Sequence, residues 1–188
     1  RKTEQRVPNI ISSENEKKVD VRIMQAHRQN AAHFTFGLDR KIPQLYRAMG
    51  ECMANTHDHA ANQPAQKKWW LTSYHDEGSR ITQFSFTDIG RGIFQSLKLK
   101  PHLKVYRKIG VTDNSQILKQ ILEKKIPSST GLPFRGKGLP AIFKAYNRGD
   151  IRKLVIISND AHIDLDAGIQ RKINPPFRGT FLYWEIRP

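Results

Sequence analysis

Glu51, Asn55 and His59 recur every four residues within ECMANTHDHA, residues 51–60. On an α-helix, residues four apart lie on one face, one turn above the other. A column of this kind sets a carboxylate, an amide and an imidazole side by side. The carboxylate can orient and deprotonate a water, and an amide oxygen one turn on can ligate a hard cation such as Mg2+. Ile42, Leu45, Met49, Cys52, Thr56 and Ala60 fall together on the neighbouring side of the same helix, as a face that packs on a sheet. The polar stripe therefore runs along the edge of a buried face, where it lines a cleft. Glu-x-x-x-Asn alone is more often a solvated helix edge, so its meaning depends on the rest of the chain. His57 and His59, two residues apart, point well apart on a helix and do not converge on one zinc ion.

Three further segments carry chemistry. Phe86-Thr87-Asp88-Ile89-Gly90-Arg91-Gly92 runs from an alternating apolar strand into Asp-x-Gly-x-Gly. Glycines there permit a tight turn and a close approach to a flat ligand, and a buried Asp88 can accept a hydrogen bond from an exocyclic amine such as that of adenine. Next comes Gly131-Leu-Pro-Phe-Arg-Gly136-Lys137-Gly138, which has the outline of a P-loop. That motif needs Ser or Thr after the lysine to hold Mg2+, and this chain has Gly138; Pro133 also removes an amide from the cradle. The P-loop is excluded, yet Gly136-Lys137-Gly138 leading into a helix suits a phosphate through free amides, a positive helix end and a mobile cation. Lastly, Gly179-Thr180 opens a late strand, where the Thr180 hydroxyl can join a network around Asp88.

The elements that position these residues follow from pattern. A helix is expected from Lys41 to about Ala61. Lys68–Tyr74 and Arg80–Thr87 read as an antiparallel hairpin across Glu77-Gly78-Ser79. Asp113–Lys125 and Leu139–Tyr146 read as helices, and Lys153–Ser158 and Gly179–Ile186 as strands. Val19–Met24 alternates like a short strand. Residues 1–20 are polar and read as a flexible arm or a link to upstream sequence, an expectation that the opening Arg1 reinforces; residues 21–188 form the domain. The fold class is α+β, a two-layer α/β sandwich with helices on one face of a sheet.

Taken in order, Glu51-x-x-x-Asn55-x-x-x-His59-Ala60, Asp88-x-Gly90-x-Gly92, Gly136-Lys137-Gly138 and Gly179-Thr180 resemble the GHKL ATPase superfamily. That family includes DNA gyrase, a heat-shock chaperone, histidine kinases and mismatch-repair proteins. The resemblance spans about residues 40–187 and is closest to the histidine-kinase and anti-sigma-factor branch. It implies the Bergerat fold, with a mixed, mostly antiparallel sheet, and ATP and Mg2+ as ligands. It further implies Glu51 as general base, Asn55 as Mg2+ ligand and His59 near the phosphates. Asp88 would meet the adenine amine above a turn shaped by Gly90 and Gly92. Gly136, Lys137 and Gly138 would form the lid, and Thr180 would back the adenine contact. His27, in MQAHRQN, lacks the acidic neighbour and paired long helices of a phospho-accepting histidine, and the lid has fewer glycines than a kinase lid. Autophosphorylation is therefore not expected from this chain.

Lys and Arg number 32 against 17 Asp and Glu, a net charge of +15. Between Lys98 and Lys153 there are 14 basic and 3 acidic residues, so +11 of the +15 lies there. This imbalance points to polyanions and motivates nucleic acid as a partner beside ATP. An unidentified protein partner is expected if phosphate passes to a Ser or His, as in the anti-sigma type of kinase, and a homodimer through the arm follows the habit of relatives. No run is apolar and long enough to span a membrane. The single Cys52 excludes an internal disulfide and suits a reducing cytoplasm.

Overall fold

The computed structural model describes residues 10–15, 19–59, 68–97, 113–125 and 138–188. Within them lie five strands: β1 (Ile10–Asn15), β2 (Trp69–Asp76), β3 (Ile81–Asp88), β4 (Arg152–Asp164) and β5 (Ile169–Ile186). Five helices accompany them: α1 (Val21–Phe36), α2 (Pro43–His59), α3 (Gly92–Leu97), α4 (Asn114–Leu122) and α5 (Gly138–Asn147). The strands form one sheet in the order β1-β2-β3-β5-β4. Every pairing among the described strands is antiparallel, where a mixed sheet was expected. The reason is the return of β5. The helical crossover brings β4 parallel in direction to β3, but β5 folds back between them, so no parallel pair forms.

Alternation decides which face is covered. Along β3, Thr82, Phe84, Phe86 and Asp88 are buried and the residues between them half-buried. The register aligns Leu71, Phe86, Leu182 and Ile156 across four strands, and Phe84 lies opposite Trp184 with rings stacked at 5.5 Å. Leu45, Met49 and Met53 of α2, Ile117 and Leu118 of α4, and Ile142 of α5 complete the same core cluster. Removal of such groups from water at about 25 cal/mol per Å2 is the main driving force for layering helices on this face.

Two N-terminal elements differ from expectation. Residues 10–15, polar enough to read as an arm, are strand β1. Polar cross-strand contacts hold it: Ser12 Oγ lies 3.0 Å from Thr72 Oγ1, and the Trp70 indole donates to Glu14 at 2.8 Å. The segment 19–24, read as a strand, instead opens α1. Asp20 caps the helix by accepting from the amides of Arg22 and Ile23 at 3.1 and 3.2 Å, and Gly37 ends it at φ 75° with its N–H on the His33 carbonyl. Met24, His27, Ala31 and Thr35 face inward at helical spacing. Two of those four are polar, which hid the stripe.

Those polar groups form a layer between α1 and the sheet. The His27 ring lies 3.1 Å from Ser13 Oγ and 2.9 Å from Ser73 Oγ, fastening α1 to β1 and β2 at once. Thr35 and His75 both meet the Thr82 hydroxyl, at 2.8 and 3.0 Å. Burial, with His75 adding to it, pushes His27 from 6.5 down to about 4, and burial also lowers His75. A depressed histidine means that the folded state favours the neutral ring. Its stabilising contribution is full above pH 6.5 and is lost as pH falls toward 4, by roughly 3 kcal/mol. Urea unfolding at pH 7.0, 5.5 and 4.5 should show this loss, and His27→Gln should flatten the slope relative to wild type.

Candidate functional site

Asp88 ends β3 on the inward face, in a row with Trp69 of β2, Thr180 of β5 and Ser158 of β4. Asp88 is 7% exposed, so the fold must supply donors to its carboxylate in place of water. Oδ1 accepts from the Gly90 amide at 2.8 Å, and Oδ2 lies 3.3 Å from the Thr56 hydroxyl. The amide and hydroxyl of Thr180 also donate to the carboxylate. Burial pushes the pKa of Asp88 above its ordinary 3.8, and these donors, led by Gly90, pull it back by favouring the charged form.

Ser158 donates to the Gly179 carbonyl at 2.9 Å, and its oxygen lies 3.2 Å from the Thr180 hydroxyl. The Ser158 oxygen then accepts from the Ile93 amide at 2.9 Å. Beside it, Asn159 Oδ1 accepts from the Phe94 amide at 3.0 Å, and its Nδ2 donates to the Arg91 carbonyl at 2.9 Å. The first amides of α3 are thus satisfied from β4. This bracketing holds the Asp88-to-Gly92 turn, where Gly92 adopts φ 72°. A Cβ on Gly92 would fall 2.6 Å from Asn159 Oδ1 and 2.7 Å from the Gly179 carbonyl.

Helix α2 carries the other half of the site. Thr56 faces Asp88, whereas its neighbour Asn55 and the half-buried Glu51 face the start of α5. A Cβ on Gly138 would lie 2.7 Å from Asn55 Nδ2 and 3.1 Å from Glu51 Oε2, so the bare glycine lets the two helices meet there. Glu51 also has Arg47 one turn back, at 3.8 Å. Among the described residues no group of three or more His, Cys, Asp or Glu is placed to hold a metal ion. The oxygen donors of Asn55 and Glu51 are the hard type that Mg2+ takes, in small number, alongside phosphate oxygens.

Of the residues singled out in the sequence, the structure brings Glu51, Asn55 and Gly138 together and, on the far side of α2, Asp88, Gly90, Gly92 and Thr180. His59 ends α2, but its side chain, together with Gly136 and Lys137, lies outside the described residues. Three contributors carried no chemical signal. Thr56 was legible only as part of a packing face and Ser158 only as the end of a strand, and Asn159 fell outside every expected element. No protein-family model and no curated protein matches the chain.

Gly179 sets the tightest constraint. At φ 110°, a Cβ there would fall 1.9 Å from the Asp88 carbonyl oxygen, a backbone atom that cannot swing aside. Gly179→Ala should cost on the order of 3 kcal/mol or more in chemical denaturation, or prevent folding.

Proposed function

We propose that this chain is an Mg2+-dependent ATP-binding domain of Bergerat type that hydrolyses ATP slowly or uses it as a conformational switch. The observation that carries the reading is the double use of α2. Adjacent residues Asn55 and Thr56 reach Gly138 in one direction and Asp88 in the other, so three separate sequence motifs converge on one helix. A purine amine would donate to the charged Asp88 carboxylate, with Thr180 steadying it and Gly90 and Gly92 keeping side chains off the base. A triphosphate running along α2 would reach Asn55 and the start of α5, where Gly136 and Lys137 immediately precede Gly138 in sequence. Bound Mg2+ would screen phosphate charge beside Asn55. Glu51 would orient and deprotonate the attacking water, with Arg47 3.8 Å away on the same helix. His59, at the end of α2, would approach the phosphates.

Calorimetry with ATP, with and without Mg2+, tests this. Wild type should bind more tightly with Mg2+, and Asp88→Asn should weaken binding by about 100-fold, because its single NH2 must face a donor, either the purine amine or the Gly90 amide, and the charge is lost. Normal binding by Asp88→Asn would sink the assignment. Glu51→Gln should keep affinity within about threefold and lower turnover by roughly 100-fold or more. Label passing from ATP to a protein partner, instead of to water, would mark the kinase form of the same reading.

A second reading comes from the +11 of net charge between Lys98 and Lys153. A nucleic-acid-binding module with a secondary ATP pocket would bind duplex with an affinity that falls steeply as salt rises. Duplex binding that is weak and insensitive to salt would remove it.

A further inference from the structure

We propose that Asn159 is a positioning residue for nucleotide recognition, holding the turn from Asp88 to Gly92 in the shape that the ligand needs. The inference depends on reading the Asp88 pocket as a nucleotide site. Asn159 touches that turn on both sides of Gly92: its amide group donates to the Arg91 carbonyl at 2.9 Å, and its carbonyl accepts from the Phe94 amide at 3.0 Å. It also occupies the space left by the absent Gly92 side chain. The turn is therefore clamped from β4, although nothing in β4 touches the Asp88 carboxylate through this residue.

Backbone geometry supports a dedicated role. Asn159 sits at φ 53°, in the left-handed region where Asn is tolerated and most residues are strained. It also lies where the β4–β5 register shifts, between Ser158 opposite Thr180 and Ala161 opposite Lys172. Beyond that point β4 and β5 pair only with each other, since β3 meets β5 only from Thr180 to Ile186. The irregularity turns the Asn159 side chain toward the Gly92 turn instead of continuing the strand's alternation. Glu51 and Asn55 belong to α2 and meet α5, not Asn159, so the clamp acts on one half of the site.

That division gives the test a direction. Asn159→Gly keeps the backbone conformation and removes both bonds. It should raise Kd and KM for Mg·ATP about tenfold, with turnover at saturation within about twofold of wild type. Asn159→Asp keeps an acceptor for Phe94 but sets a carboxylate oxygen against the Arg91 carbonyl, so it should weaken binding at least as much as Asn159→Gly. Arg80→Gly, another glycine at a positive φ (56°) but in the β2–β3 turn, serves as the control and should leave Kd unchanged. Unaltered Kd in folded Asn159→Gly overturns the proposal, as does a parallel fall of turnover and thermal stability with no separate change in KM. Should Asn159→Gly not fold, Asn159→Asp decides by the same criteria. If wild type itself binds no ATP, the reading of the pocket fails and the inference falls with it; that outcome is told apart by the wild-type titration alone.

Discussion

A buried carboxylate has to be answered by donors, and Asp88 sets that demand at the end of the central strand β3. Three elements meet it: the turn through Gly90, the α2 hydroxyl of Thr56 and the β5 residue Thr180. None of these donors is a cation, so the charge is spread over neutral dipoles and stays available to a further donor from a ligand. The demand propagates outward. For β5 to come close enough, Gly179 must lack a side chain; for the turn to fold back, Gly92 must enter the left-handed region; and the turn's own amides then need Ser158 and Asn159 from β4. Five segments are thereby fixed by one carboxylate.

The same sheet face carries a second polar layer, of a different kind, at its other end. Around His27 and His75 the partners are hydroxyls from Ser13, Ser73, Thr35 and Thr82, and burial keeps both rings neutral. Between the two layers lies the apolar band of Leu71, Phe84, Phe86, Leu182 and Trp184. The His27 layer fastens α1 and β1, so it sets the N-terminal edge of the sheet. The Asp88 layer joins α2, α3 and β5, so it sets how the opposite end of the sheet is covered. A sheet that buries one face apolar in the middle and polar at both ends has its register fixed along the strand, because a shift would strand either layer without partners.

Helix α2 shows why a polar stripe persists beside a packing face. Its inner side fills the core with Leu45, Met49, Cys52 and Met53, while Glu51 and Asn55 meet α5 only because Gly138 is bare. A side chain at Gly138 would run into Asn55 and Glu51 and push the two helices apart. Thr56, the next residue along from Asn55, turns to the Asp88 row, so one helix touches both groups of residues.

Much of this could be read before any coordinates. Alternation fixed the β2–β3 hairpin and put Asp88 on the inward face, and four-residue spacing put Glu51 and Asn55 on one edge of α2, because both signals arise from local periodicity. Local signals failed where polar groups replaced apolar ones: α1 presents His27 and Thr35 inward, and β1 is held by Ser12, Ser13 and Glu14, so neither carries the hydrophobic period that marks an element. The sequence by itself determined the α+β class and which polar residues, Asp88, Glu51 and Asn55 among them, stand beside the packing faces. Only the tertiary structure decided that the sheet is antiparallel throughout its described strands, that Thr56 is a donor and not mere packing, and that Ser158 and Asn159 serve the turn after β3. Those are contacts between residues as many as 68 positions apart, such as Asn159 with Arg91. Chain folding, not spacing, brings them within hydrogen-bond reach.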